Sequence, residues 1–288
     1  MLLPRRSPVP ADETLGLTRE HELLTQPRKG SIDWASFNRS HFTEAQLTSA
    51  RELWRHRAFT EFHSLTQFTQ LASQLHALGA PLDWSGAFAR MISDEVRHAE
   101  LCARMVETLG GAPGIELDSL DDVHLTVRGS LRAHVRRTVV SAFCIGETLS
   151  GRMFKRCLAA ANVPLAKDVV TAILVDETFH AELGWEVAAL LMRPDEGVEE
   201  ERAALAAELP SLFEDFAAQC LVTHAPESTR AQPEFPPADA PNFGGLTEAG
   251  YARAFYDGME HDVVPGLEAI GLVEARAAWN RFVASRPE

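Results

Sequence analysis

The sequence predicts an all-α protein: four long helices with a further helical segment behind them. Three observations lead to this. The stretch from His41 to about Pro194 has almost no strand alternation and is broken only at short Gly, Pro and Asn turns. Cap and stop signals stand where those breaks fall. An eight-residue motif also recurs, Asp94–Leu101 and Asp176–Leu183, each time in the second helix of a predicted pair.

Taken in order, residues 1–40 scatter Pro4, Pro8, Pro10, Pro27 and Gly30 among charges. They read as an N-terminal extension that either wraps the core or stays mobile. The first long helix starts at Thr43, which with Gln46 fits a capping box, and runs to about Leu78. Gly79-Ala80-Pro81 turns the chain into the second, which stops at Gly110-Gly111-Ala112-Pro113. A polar crossover leads to the third, from about Leu131 to Ala161. Asn162-Val163-Pro164 then turns into the fourth, ending at Arg193-Pro194. Residues 41–195 thus form the core and residues 196–288 a helical C-terminal cover. Within that cover, Val198–Leu221 is a helix strained or broken near Pro210. Residues 222–246 are a Pro-rich surface loop, and two or three short helices follow from Thr247.

The 288 residues suit one large domain or two small ones, and 45% apolar with 24% charged residues is an ordinary globular balance. A net charge of -14 argues against nucleic acid or an anionic membrane as partner. No apolar run approaches the ~20 residues that span a bilayer, and Pro4-Arg5-Arg6 leaves no apolar signal core. Cys102, Cys144, Cys157 and Cys220 form no CxxC pair, so reduced thiols and a cytoplasmic location are expected.

The informative residues are carboxylates in apolar helices. Between Arg137 and Arg152 the only charge is Glu147, and Val169–Val175 runs directly into Asp176-Glu177. Segments apolar nearly all round are buried. A buried, unpaired carboxylate must take a proton or find a cation. Glu61 and Glu95 are equidistant from Leu78, and Glu147 and Glu177 from Asn162, where the two turns fall. Antiparallel pairing brings each pair to one depth, about 25 Å from its turn at 1.5 Å per residue. His98 and His180 lie three residues past Glu95 and Glu177, on the same helix faces. Four glutamates and two histidines are thereby expected to converge, with a charge that two divalent cations neutralise.

This pattern resembles the ferritin-like superfamily of dinuclear carboxylate proteins, with a Glu on each of two helices and Glu-x-x-His on each of the other two. The matching residues are Glu61, Glu95 and His98, then Glu147, Glu177 and His180; the match covers roughly residues 41–195. The resemblance implies a ferritin-like four-helix bundle with these six as metal ligands and catalytic residues. Carboxylate and imidazole without thiolate suit two iron ions, with manganese or a mixed Mn/Fe pair open. It also implies a crossed support, Asp94 to the ring of His180 and Asp176 to the ring of His98.

Around the site, Cys102 lies two turns past Glu95. The ribonucleotide reductase small subunit resembles this layout but keeps a radical tyrosine there, whereas soluble methane monooxygenase has a cysteine. The only tyrosines, Tyr251 and Tyr256, lie in the C-terminal part, so no radical-storing tyrosine is expected beside the metals, and core packing is the simpler role for Cys102. Gly151 and Gly184 leave room for substrate, and Phe68, Phe143 and Phe154 share their faces as walls, with plain packing an equal alternative for each. Glu100 and Glu182 turn away as exposed or paired charges. His63 faces away from Glu61, and the remaining histidines, His134 and His124 among them, are expected in solvent.

The expected function is a diiron oxidase or oxygenase that activates O2 against a small organic substrate, with electrons from an external ferredoxin or reductase. No flavin or nicotinamide fingerprint is present to supply them internally. Ferritin-type iron oxidation and storage is the main alternative, and a manganese catalase or a degenerate interaction module are others. Arylamine N-oxygenases look similar but carry a further histidine where this chain has Ile173. Substrate identity, the role of residues 196–288 and the oligomeric state, including a homodimer, stay open at this point.

Overall fold

The computed structural model describes residues 2–3, 17–112, 115–116, 127, 129–194 and 197–288. Most of the expected polar crossover, His124 included, lies outside the described residues. The protein is all-α. The one extended pairing among the described residues is a two-residue antiparallel ladder, β1 (Leu2–Leu3) with β2 (Ile115–Glu116). No helix among them is long and apolar enough to cross a membrane.

The chain divides into two compact units, Met1–Val127 with Asn162–Ile173, and Arg128–Ala161 with Leu174–Glu288. The first contains α1 (Leu17–Leu24), 3-10 turns at Trp34–Ser36 and Arg39–His41, α2 (Glu44–Ala77) and α3 (Leu82–Thr108). Thr43 caps α2: its hydroxyl accepts from the Gln46 N–H while the Gln46 side chain accepts from the Thr43 N–H at 2.9 Å. That satisfies two donors the first turn would otherwise leave open. Gly79 supplies the left-handed residue after the helix, at φ +81°. The Arg51 guanidinium then reaches the Leu109 carbonyl at 3.1 Å, fixing α2 and α3 antiparallel. Trp54, Phe68, Leu71 and Leu75 of α2 meet Phe88, Met91, Leu101 and Met105 of α3 in a dry interior. Each such side chain contributes roughly 1.5–3 kcal/mol by leaving water.

The N-terminal extension wraps this core at residues 21–28. Arg28 bonds Asp94, Arg97 donates to the Gln26 carbonyl at 2.9 Å, and His21 lies 3.5 Å from Glu100.

In the second unit the predicted third helix is continuous but not uniform. α4 (Leu131–Thr138), capped by Ser130, passes into a π-helical stretch, Val139–Glu147, and then α5 (Thr148–Ala160). α6 (Pro164–Leu191) belongs to the first unit up to Ile173 and to the second from Leu174. α7 (Val198–Gln219) is not broken at Pro210, against the sequence expectation. Proline removes one backbone bond there, while buried Leu205 and Leu209 before it and Leu212, Phe213 and Ala217 after it keep both halves on one core.

The Pro-rich segment is also more ordered than a surface loop. It forms α8 (Pro226–Arg230), and it buries Thr229, Asn242 and Phe243. The Asn242 carboxamide oxygen accepts from the Gly244 and Gly245 N–H groups at 2.8 Å, a local turn the proline count did not reveal. α9 (Glu248–Gly258), a π stretch Met259–Val263, α10 (Val264–Ala269) and α11 (Ala275–Ala284) complete the chain.

α9 crosses α5 closely, since a Cβ at Gly258 would lie 2.8 Å from Leu149 Cδ2. Arg152 bonds Asp262 through both ends of its guanidinium fork, and Arg156 bonds Glu234 and Asp257. Beneath them Phe213, Phe255, Tyr256, Trp279 and Phe282 form one aromatic cluster, the last two stacked 5.2 Å apart. These contacts hold the C-terminal helices onto α5.

Candidate metal centre

In the first unit Glu61 projects from the buried face of α2, and Glu95 and His98 from α3. His98 Nδ1 stands 3.4 Å from Glu61 Oε2 and 4.0 Å from Glu95 Oε1. In the second unit Glu147 closes the π stretch, and Glu177 and His180 lie on α6. His180 Nδ1 stands 3.4 Å from Glu147 Oε2, the same separation as in the first half. The sequence repeat is thus a structural repeat.

All six residues are at most 7% exposed. Neither Glu61 nor Glu147 has a Lys or Arg partner among the described residues, so each is a buried carboxylate beside an imidazole with no arginine or lysine to neutralise it. That arrangement is unfavourable unless a proton is taken up or a cation is shared. Two donors about 2.1 Å from one ion stand about 3 Å apart, close to the spacing of each Glu–His pair. The buried glutamates and histidines make up two groups, each of two carboxylates and one imidazole, able to hold a metal ion. The oxygen and nitrogen donors, without thiolate, fit iron or manganese.

Both aspartates that precede the ligand glutamates are buried, Asp94 at 0% and Asp176 at 1%. Asp94 is set among arginines: Arg28 Nε and Arg97 Nη1 both reach Oδ1 at 2.8 Å, and Arg90 lies 3.7 Å from Oδ2. Sequence reasoning missed this cluster. Arg90 and Arg97, four residues before and three after Asp94, were local signals for it; Arg28 gave none. The second copy has Ala172 and Phe179 at the positions of Arg90 and Arg97, so the halves differ in charge where they agree in their Glu-x-x-His residues.

The two glycines behave differently. At Gly184 a Cβ would fall onto Phe143, 3.0 Å from its Cγ and closer still to its Cβ. The room expected there is filled by the phenyl stem, which seats α6 on the π stretch. At Gly151 a Cβ would meet only Glu177 Cβ, at 4.0 Å, so there is room beside that glutamate for a methyl group. Phe68, Phe143, Phe154 and Cys102 are all buried. The Cys144 thiol, 3.9 Å from the Gly184 carbonyl, is pushed well above its ordinary pKa by burial. Trp185 donates its indole N–H to Thr148, the residue after Glu147, at 3.0 Å.

Glu182 is exposed and Glu100 is paired, as the helix geometry predicted. His134 is not solvated but 6% exposed on α4; its ring sits on the buried face that carries Val135 and Thr138. The π stretch itself was invisible in the sequence, because a segment apolar all round has no phase from which a slip can be read. Such stretches occur frequently at functional sites, and here one ends at the buried carboxylate Glu147. Comparison of the chain with protein-family models, curated proteins and solved structures found no match.

Proposed function

We propose that Glu61, Glu95, His98, Glu147, Glu177 and His180 serve together as the ligands of a dinuclear iron centre in a ferritin-like bundle, and that the protein is a cytoplasmic O2-dependent oxidase or oxygenase of a small organic substrate. The observation that carries this reading is the repeated buried Glu–His pair, 3.4 Å in each half, with no Lys or Arg side chain on either Glu61 or Glu147 among the described residues. When bound, a pair of such ions supplies the capacity to reduce O2 and turn it on an organic molecule.

The chain's own residues have four tasks. The carboxylates bring the negative charge that two divalent cations neutralise. The histidines fix the position of each ion, and because Nδ1 faces the carboxylate in both halves, Nε2 is left to donate its proton to a supporting group. The crossed aspartates, Asp176 for His98 and Asp94 for His180, are the proposed acceptors. The apolar walls, Phe68, Phe143 and Phe154, exclude water. Reducing equivalents come from an external ferredoxin or reductase.

Anaerobic loading with Fe(II) followed by metal analysis tests the site: about two irons per chain are expected, and Glu147→Ala or His180→Ala each removes about one. Unchanged metal content in both variants contradicts the assignment. Oxygen uptake then separates the activities. Stimulation by an organic substrate supports the oxygenase, accumulation of many irons per particle indicates storage, and peroxide dismutation with manganese indicates a catalase.

A further inference from the structure

Gly151 occupies an unusual place. It sits inside α5, where glycine weakens a helix, yet the fold does not require it. Its backbone is not left-handed, and an added Cβ would have one neighbour, Glu177 Cβ, at ordinary van der Waals distance. The position is partly exposed, although Leu149, Phe154 and Glu177 around it are buried. It lies one turn past Glu147 on the same face, so the room at this position borders the stem of one proposed ligand, Glu177, and lies one helical turn from another. Gly184, by contrast, is filled by Phe143 and Gly258 by Leu149.

One turn further along that face is Lys155. Of the three cations on α5, Arg152 is held by Asp262 and Arg156 by Glu234 and Asp257. Lys155 is exposed and has no partner among the described residues. Four residues of helix place its stem about 6 Å from Gly151.

We propose that Gly151 is the aperture through which substrate reaches the centre and that Lys155 anchors its charged end, so that the substrate is a small organic anion, a carboxylate with a short apolar body. This rests on the functional reading above for its chemistry, but not for its geometry. The carboxylate meets the ammonium in water at the rim, the body lies over Gly151, and the carbon presented to the centre is several bonds from the carboxylate. A side chain longer than alanine at 151 fills the passage.

The test uses hexanoate and 1-hexanol as probes, titrated calorimetrically into the full-length protein, both metal-free and iron-loaded under argon. Wild type is expected to bind hexanoate more tightly than hexanol. Lys155→Gln should weaken hexanoate about tenfold, the loss of one charge-assisted contact, and leave hexanol unchanged. Gly151→Leu should weaken both at least about tenfold, while Gly151→Ala keeps the fold, checked by circular dichroism, and retains binding. Hexanoate affinity indifferent to Gly151→Leu and Lys155→Gln, or absent from wild type, overturns the proposal whatever the metal content. A chain that holds no iron but loses hexanoate in Gly151→Leu overturns the oxygenase reading and supports the aperture.

Discussion

The contrast between Gly184 and Gly151 yields a sharp stability prediction. Both are glycines inside helices, and Gly→Ala changes each by one methyl group. At Gly184 the new Cβ falls within 3.0 Å of Phe143 Cγ and 3.1 Å of Cδ1, and closer to Cβ. The obstruction is the rigid root of a fully buried ring on a π stretch, not the far end of a flexible chain, so the helices must separate. Overpacking of this kind costs about 3 kcal/mol, the upper part of its usual range. At Gly151 the methyl meets nothing closer than 4.0 Å, and the gain in helix propensity stabilises by up to ~1 kcal/mol. Urea unfolding followed by circular dichroism should place the Gly184→Ala midpoint about 1 M below wild type, for a slope near 3 kcal/mol/M. Gly151→Ala should equal or exceed wild type. Because Phe143 lies one turn before Glu147, Gly184→Ala should also lose metal. Coincident midpoints for the two variants would refute the packing argument.

Other outcomes follow from the same contacts. Asp94→Ala strands the buried Arg97 guanidinium and should destabilise by about 3–5 kcal/mol, read from denaturant midpoints. Arg28→Ala leaves Arg97 on Asp94 and should cost less, about 1–2 kcal/mol. Burial pushes the Cys220 thiol and the Tyr256 hydroxyl each up to about 12, from 9.0 and 10.0. Both raised groups favour the folded state fully below their unfolded values, so this stability is lost as pH rises from about 9 towards 12. Thermal melts across that range should show the decline, and Cys220→Ala should remove its first part. Native protein should react slowly with iodoacetamide at pH 8, since all four cysteines are buried; rapid labelling would contradict that burial.

Much of this fold was legible because its signals were local. Thr43 with Gln46 and Gly79 before Pro81 each marked a helix end through a bond made within three residues. The buried Glu–His pairs were legible through arithmetic: a repeated Glu-x-x-His and glutamates equidistant from a turn bring those side chains to one level without any knowledge of packing. What could not be read depended on distant partners or on the absence of phase. Arg28 meets Asp94 across 66 positions. Gly184 and Gly151 look alike in the sequence and differ only in what stands opposite them. Pro210 signalled a break that burial on both sides prevented, and His134 carried no pattern distinguishing a buried ring from a solvated one.

The π stretch Val139–Glu147 has a consequence for how this rod tolerates change. Each of its closures takes in one residue more than an α turn, so the segment stores slack that a regular helix lacks. Removing a single residue such as Val140 would let the segment tighten and absorb the loss, whereas the same deletion in α3 or α6 would rotate every following side chain. Length variation among relatives should therefore concentrate between residues 139 and 147, with the carboxylate at its end keeping its station while the count before it shifts.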